Sequence, residues 1–289
     1  MLRTAANNTS AVRVQPFLRW AGSKRQIVPI LSKYWDCHLY SRYVEPFAGS
    51  GSLFFHLLPS RALLGDINEE LILTYEQVKH NLPSLLIELK SIEKGRENYL
   101  RIRALDPSGL TPAYCAARFI YLNRYCFNGL YRTNKAGKFN VPYGGDKAGK
   151  MPSNAAFEHC SLCLQKAELI AGSFEKTLEK VKPGDFVYMD PPFSVKASPL
   201  FNNYDPSAFD QVALQRLREW LIRLDRMKIS FLVSYAESDE AYFLAQDFHF
   251  ECISVRRNIS GFIESRRNAN ELLISNRYHS GGIVEHCMT

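Results

Sequence analysis

The 289-residue sequence has no hydrophobic run long enough to form a membrane-spanning helix. Its first fifteen residues are polar and basic, without the apolar centre of a secretion signal. The seven cysteines are odd in number and irregularly spaced, which argues against a disulfide framework. These absences predict an intracellular, cytoplasmic globular protein with reduced thiols, preceded by a flexible arm over residues 1–15.

Cysteine and histidine cluster in one place, at His159, Cys160 and Cys163. A structural zinc site needs four ligands, and no second Cys/His pair follows at zinc-finger spacing. We therefore interpret the cluster as part of an ordinary helix and predict no metal site.

The composition sets only outer limits on fold and partner. Hydrophobic residues make up 46% of the chain, enough for one large α/β domain with an insertion or for two small domains. Lys and Arg outnumber Asp and Glu by 36 to 29, a balance that favours a polyanionic partner without requiring one.

A glycine turn lies between a strand and a helix in residues 42–55. It contains only Gly49 and Gly51, so it lacks the third glycine of a dinucleotide fingerprint, and no P-loop Lys-Ser/Thr pair follows. A nucleoside or amino-acid ligand without a diphosphate fits this turn better. The next short strand ends at Asp66, where a carboxylate can bind ribose hydroxyls or can cap the following helix, for which Asn68 is the predicted N-cap.

Two further sites follow from local sequence. Trp20 and Lys24 belong to a loop of small residues before a helical pattern, which suits an anionic group but also suits a buried indole and a solvated amine. The apolar segment 186–189 runs into Asp190 and two prolines, which predicts a strand that stops at a rigid corner. The Asp190 carboxylate and the Pro191 carbonyl can accept N–H groups of a planar amine stacked on Phe193, although a plain proline-rich turn remains the alternative.

Residues 82–127 predict a helical insertion because they interrupt the strand–helix alternation. The following basic, amide-rich segment predicts a β-hairpin with its turn at 134–137, either a reader of the DNA major groove or a solvated surface hairpin. Its candidate DNA-binding residues are Arg124, Asn128, Arg132, Asn134, Lys135, Lys138, Asn140 and Tyr143. Beyond them we predict a strand and turn at 167–174, a helix at 208–227, a strand at 229–233, and a closing antiparallel pair at 249–255 and 271–275.

Five motifs in fixed order carry a family resemblance. They are Trp-Ala-Gly-Ser-Lys at 20–24, Glu-Pro-Phe-Ala-Gly-Ser-Gly at 45–51, Asp-Ile-Asn at 66–68, Cys-Phe-Asn-Gly-Leu-Tyr-Arg at 126–132 with Phe-Asn-Val-Pro-Tyr-Gly at 139–144, and Asp-Pro-Pro-Phe at 190–193. The order resembles the Dam-like family of DNA adenine-N6 methyltransferases. The resemblance implies an α/β fold: a Rossmann-like, S-adenosylmethionine-dependent methyltransferase sheet with an inserted helical and β-hairpin DNA-recognition domain. The implied division is a catalytic domain at 16–80 and 166–289 and a recognition domain at 81–165.

The resemblance also implies residue roles, double-stranded DNA as the substrate, and S-adenosylmethionine as the cofactor. The catalytic residues would be Asp190, Pro191, Pro192 and Phe193, holding an adenine flipped out of the duplex. The cofactor would be bound by Trp20, Lys24, Glu45, Phe47, Gly49, Gly51, Asp66, Phe174 and Asp190.

This sequence departs from the family pattern at two places. Phe193 replaces the usual Tyr, keeping the stacking face without the hydroxyl, and the turn residues 135–138 lack the Arg of the best-known GATC-methylating members. GATC is the candidate site. A companion restriction endonuclease, RNA guanine-N2 or DNA cytosine-N4 as the acceptor, and a catalytically silent DNA-binding relative stay open.

Overall fold

Seven short apolar segments form one sheet in the computed structural model, which describes residues 14–134, 136–192, 209–256 and 268–277. The strands are β1 (Arg42–Glu45), β2 (Ala62–Asp66), β3 (Ala167–Ala171), β4 (Asp185–Met189), β5 (Ser230–Ala236), β6 (His249–Arg256) and β7 (Asn268–Ser275). Their order across the sheet is β3-β2-β1-β4-β5-β7-β6.

The first five strands are parallel, and β7 lies antiparallel between β5 and β6. The chain order reverses between β1 and β4, so connections leave the carboxyl ends of these two strands in opposite directions. That reversal opens a crevice at the carboxyl edge of the sheet, where open α/β sheets bind ligands. Because β7 runs antiparallel, it brings its amino-terminal end to the same edge.

Ten α-helices accompany these strands in the described part of the chain. They are α1 (Val28–Leu31), α2 (Ser52–Leu57), α3 (Glu69–His80), α4 (Leu82–Ser91), α5 (Arg96–Ala104), α6 (Pro112–Tyr125), α7 (Asn154–Leu164), α8 (Phe174–Leu178), α9 (Gln211–Arg226) and α10 (Asp239–Ala245). None of the described helices is both long and apolar enough to cross a bilayer.

The helices cover both faces of the sheet. Since side chains alternate along a strand, Tyr43 and Tyr188 pack into the core under α1 to α7, whereas Val44 and Val187 pack into the core under α8, α9 and α10. Every residue of β1, β2 and β4 is buried, as expected for parallel strands covered on both sides. The predicted Rossmann-like methyltransferase fold class is confirmed in this architecture.

Several local predictions are confirmed. The side chain of Asn68 accepts a hydrogen bond from the Leu71 N–H at 3.0 Å, so it caps α3 as predicted. Helix α9 buries its leucines on one side, with Asp210 as its N-cap. Strand β5 differs from its prediction: it continues to Ala236, beyond the predicted end at residue 233, so Ser234 lies within this strand.

The prediction of a β-hairpin in this segment is wrong, because the chain reverses without forming two regular strands. The chain does reverse at 134–138, with the Asn134 N–H donating to the Lys138 carbonyl at 2.9 Å. However, the described backbone of the two arms pairs in the isolated bridges Thr133–Phe139 and Cys126–Tyr143 and not in a continuous ladder. The amide and proline content of this segment favours side-chain-stabilised turns over a continuous ladder.

The helices between β2 and β3 share their hydrophobic core with the sheet. Tyr99 of α5 and Phe119 of α6 belong to the same buried cluster as Tyr43 of β1 and Phe54 of α2. The proposed division at residues 81 and 165 stays a prediction, as does the arm at 1–15, of which residues 1–13 lie outside the described part of the chain.

Candidate active site

Asp190 lies directly after β4, at the carboxyl edge of the sheet. Its Oδ1 is 3.3 Å from the Lys24 ammonium, and it accepts a hydrogen bond from the Ser234 hydroxyl at 3.3 Å. Burial raises the pKa of Asp190 to about 6, while Lys24 lowers it and Glu271 raises it. Its side chain remains 22% exposed, so this carboxylate can reach a ligand.

Lys24 is buried between two carboxylates. Its ammonium donates to Glu271 Oε1 at 2.9 Å, and Glu271 is itself buried on β7. The sequence analysis assigned Glu271 only to a closing strand and missed this contact. The available signal was a lone acid before an apolar run, which does not reveal a partner 247 positions away.

The glycine turn is fastened to Asp66. Gly49 and Gly51 adopt φ of 46° and 62°, in the left-handed region that favours glycine. The Gly49 N–H donates to Asp66 Oδ2 and the Asn68 N–H donates to Asp66 Oδ1, both at 2.9 Å. Tyr75 donates its hydroxyl to the Gly49 carbonyl at 2.5 Å. Burial raises the pKa of Asp66, and these two N–H groups lower it.

Glu45 ends β1 and is buried, and its Oε2 has no hydrogen-bond partner among the described residues. Burial raises the pKa of Glu45 well above its ordinary value; the Tyr43 hydroxyl lowers it, and the charges of Asp190 and Asp66 raise it further. A buried oxygen without a donor is costly, which indicates a group that a ligand satisfies.

Aromatic rings form the walls of the crevice. The Trp20 ring lies against Gly49, with atoms 2.9 Å from where a Cβ would stand, and it stacks on Tyr131 at a centroid distance of 6.1 Å. On the other side Phe47 stacks on Phe174 at 5.3 Å, and Phe209 packs against both rings. Phe209 was not predicted, because an isolated Phe ahead of a helix gives no sequence signal.

The structure therefore brings the predicted polar residues to one edge and one face of the sheet. Each of the three acids comes two residues after a side chain that packs into the core under α1 to α7, so all three acids lie on that face of the sheet. The pairs are Tyr43 and Glu45, Leu64 and Asp66, and Tyr188 and Asp190. Pro191 is buried and Pro192 exposed, and Phe193 lies outside the described residues. Such a site offers carboxylates to N–H and hydroxyl groups beside aromatic faces.

A family model described as D12 class N6 adenine-specific DNA methyltransferase matches residues 20–259. That match begins at Trp20 and includes every residue of the crevice except Glu271. The chain belongs to the D12 class of N6 adenine-specific DNA methyltransferases.

Relatives support the same assignment. The chain is 35% identical over 275 residues to the "Type II methyltransferase M1.LlaDCHI" of Lactococcus lactis subsp. cremoris, covering 92% of this chain and 96% of that protein. It is 32% identical to the "Type II methyltransferase M.MjaIII" of Methanocaldococcus jannaschii, covering 92% and 100%. It is 31% identical to a "DNA adenine methylase" of Vibrio cholerae, covering 89% and 94%. The predicted Dam-like relationship and the adenine-specific enzyme class are confirmed.

In this D12 methyltransferase, the candidate DNA-binding residues fall into two groups. Arg124 is half-buried and donates to the Phe17 carbonyl, and burial lowers the pKa of Arg124 to about 10. Asn134 accepts from the Ala136 and Lys138 N–H groups at 3.0 Å, which closes the turn. These two side chains hold the segment in shape.

The other candidates face outward to different degrees. Arg132 is exposed and donates to Asn140 Oδ1 at 2.8 Å, and Lys138 is exposed as well. Asn128 is half-buried with φ of 55°, and the half-buried Tyr143 packs on Tyr99 at 5.3 Å. Lys135 lies outside the described residues. The exposed cations and the Arg132–Asn140 pair suit contact with a polyanion.

Proposed function

We propose that this DNA adenine-N6 methyltransferase uses S-adenosylmethionine and acts on an adenine flipped out of the duplex into the crevice beside Asp190. Flipping is needed because the N6 amino group is inaccessible to an enzyme while the base is stacked. The observation that carries the proposal is the convergence of Lys24, Glu45 and Asp190 at one sheet edge in a chain of the D12 class.

The cofactor would lie along β1 and β2. Asp66 retains oxygen lone pairs beyond the two N–H bonds that it accepts, so it can also accept ribose hydroxyls. Phe47, Phe174 and Phe209 form an apolar wall that suits the cofactor's adenine ring. The partnerless oxygen of Glu45 suits a hydrogen-bond donor of the cofactor's amino-acid end.

When bound, S-adenosylmethionine supplies an electrophilic methyl group on a sulfonium leaving group. The protein has to supply the nucleophile's orientation. The lone pair of the adenine amino group is conjugated into the ring, and hydrogen bonds from N6 to the Asp190 carboxylate and the Pro191 carbonyl would favour a pyramidal nitrogen. Positioning and electrostatic stabilisation of the positive charge that develops on N6 then provide the rate enhancement.

Pro191 and Pro192 provide the corner with hydrogen-bond acceptors and no backbone donors. Neither proline carries an N–H, so they offer carbonyl oxygens without competing for the Asp190 carboxylate. Phe193, as a proposed stacking partner of the flipped base, completes the corner.

The test is transfer of labelled methyl from S-adenosylmethionine to duplex DNA, followed by identification of the modified base. We expect label at adenine N6, and we expect Asp190→Ala to abolish transfer while the circular dichroism spectrum stays close to that of wild type. Label found only in cytosine or in RNA would contradict the proposal, and binding of DNA without transfer would indicate a silent relative.

We make two proposals about specificity: a target sequence and a companion enzyme. GATC is the candidate sequence, and the same assay on duplexes that differ at one base pair each decides it. The Type II names of two relatives favour a companion restriction endonuclease of the same specificity. In that case DNA methylated by this enzyme would resist the endonuclease, whereas unmethylated DNA would be cut.

A further inference from the structure

Glu271 occupies a position next to the reactive corner. It lies in the amino-terminal half of β7, opposite Ala236 of β5, and its side chain shares a face with Leu273. The Lys24 ammonium is 2.9 Å from Glu271 Oε1 and 3.3 Å from Asp190 Oδ1. One buried cation is therefore shared by two carboxylates, and the shorter contact belongs to Glu271.

The described contacts of Asp190 all converge on one of its oxygens. Lys24 and the Ser234 hydroxyl both approach Oδ1, and Ser234 is in turn held by the Tyr188 hydroxyl at 2.9 Å. Within the described part of the chain, no side chain donates to Oδ2. This is the oxygen that an incoming amino group can meet.

The arrangement is a poor way to stabilise a fold. Burying an ion pair costs desolvation energy, which the mutual attraction of the charges offsets only when the remaining lone pairs are satisfied. Here Lys24 faces two carboxylates, and Glu271 Oε2 has no hydrogen-bond partner among the described residues. An apolar residue on β7 would pack at lower cost, so the charge at position 271 has to be explained by function.

We propose that Glu271 is a positioning residue, which anchors Lys24 so that the ammonium does not pair fully with Asp190 and Asp190 Oδ2 stays available to the target amino group. The inference rests on the proposed function of Asp190 as the acceptor of the N6 hydrogen bond. It assigns Glu271 no contact with the substrate.

The charge around Asp190 gives this role a measurable consequence. The described groups that interact with the Asp190 charge are Lys24, Glu271, Ser234, Tyr188, Glu45 and Tyr43. The ionised Asp190 carboxylate accepts an N–H more strongly than the protonated acid does, so we expect activity to fall as pH drops through the pKa of Asp190. Loss of the Glu271 charge removes a repulsion and leaves Lys24 to Asp190 alone, and both changes lower that pKa.

The test is the pH profile of single-turnover methylation at saturating cofactor and DNA, for wild type and Glu271→Gln. We expect the plateau rate to fall by on the order of 10- to 100-fold, because the acceptor is no longer held in place. We expect the acid limb to move to lower pH by on the order of one unit. The control is Glu219→Gln, which makes the same carboxylate-to-carboxamide change at an exposed position of α9 and should leave both the plateau rate and the acid limb unchanged.

A Glu271→Gln profile that superimposes on wild type overturns the proposal, and so does a lower plateau without a shifted acid limb. If Glu271→Gln does not fold, Glu271→Asp decides, since it keeps the charge and withdraws the carboxylate by one methylene. A folded Glu271→Asp with a reduced plateau supports positioning, and a wild-type plateau contradicts it. A wild-type enzyme that places no methyl on adenine N6 would instead refute the proposed function.

Discussion

At the scale of single residues, Gly49 shows how closely the glycine turn packs against its neighbours. Its N–H binds Asp66, its carbonyl accepts from Tyr75, and the Trp20 ring occupies the space where a side chain would begin. The backbone N–H and carbonyl of Gly49 are therefore both held by hydrogen bonds, and any side chain at this position would have to displace the indole.

We predict that Gly49→Ala weakens S-adenosylmethionine binding by at least about tenfold, or about 1.4 kcal/mol. The new Cβ would stand 2.9 Å from two Trp20 atoms, at a φ of 46° that L-residues avoid. Isothermal titration calorimetry measures the affinity. Gly145→Ala is the matched control, because its φ is 56° and nothing lies within 4 Å of the new Cβ. Equal affinities for the two variants would contradict the prediction.

Residue-scale prediction from sequence depended on position relative to strand ends. Asp66 and Asp190 were predicted because each follows an apolar run, and the carboxyl ends of parallel strands meet at one edge. Glu271 was missed because β7 is antiparallel, so the residue that reaches this edge stands near the start of the strand, where no sequence rule expects a site residue. The contact between Lys24 and Glu271 joins residues 247 positions apart, so no local sequence pattern predicts it.

At the scale of elements, a buried ion pair joins β1 to β4. At the amino edge, Asp185 accepts from Arg42 Nε and Nη2 at 3.1 and 2.6 Å and from the Lys182 N–H at 2.9 Å. Arg42 also donates to the Lys180 carbonyl at 2.7 Å. Both oxygens of Asp185 therefore have donors, in contrast to Glu45 and Glu271 at the carboxyl edge, each of which has one oxygen without a donor among the described residues.

We predict that Asp185→Asn lowers the free energy of unfolding by about 3–5 kcal/mol, because it leaves a buried guanidinium without its counter-charge. Urea denaturation followed by circular dichroism measures the loss. Asp247→Asn is the control: it removes an ion pair to Arg218 whose carboxylate is 59% exposed, and such pairs contribute about 0.2–1 kcal/mol. Similar losses in both variants would show that the Arg42–Asp185 pair stabilises the sheet no more than a surface ion pair does.

Helices with a buried face were predicted better than the turn-rich segment that follows α6. Helix α9 was recognised from its leucine spacing, whereas the segment 126–143 was expected to form a hairpin and forms isolated bridges. Periodicity reports burial on one side of an element, and it carries no information on turns held by a side chain such as that of Asn134.

At the scale of the whole molecule, Trp20 links the proposed cofactor crevice to the proposed DNA-recognition segment, residues 123–144. One of its contacts is Gly49 and another is Tyr131, which also packs on Phe119 of α6 and on Phe139. Just ahead of it, the Arg19 N–H donates to Asn123 Oδ1 at 2.8 Å and the Arg19 carbonyl accepts from the Asn123 amide at 2.6 Å. The amino-terminal motif is therefore attached to both functional parts.

We predict that Tyr131→Leu weakens cofactor binding although Tyr131 belongs to the recognition segment. An aromatic pair contributes about 0.5–1.5 kcal/mol beyond burial, so the dissociation constant should rise by about 2- to 10-fold. Calorimetry without DNA measures it. The control is Tyr114→Leu, which changes a half-buried tyrosine of α6 that packs against the same core cluster. An unchanged affinity in Tyr131→Leu would show that the ring contact carries no coupling.

The shared core of the sheet and α6 has a consequence for how specificity can diverge. Phe139 and Val141 anchor the recognition segment in the same buried cluster that holds Tyr43 and Tyr188 beneath the catalytic edge. The outermost turn at 134–138 contributes none of the buried hydrophobic residues. If this segment reads DNA as proposed, we expect new target sequences to be acquired by altering that tip, whereas replacing the whole segment with that of a distant homologue would disturb the packing beneath Asp190.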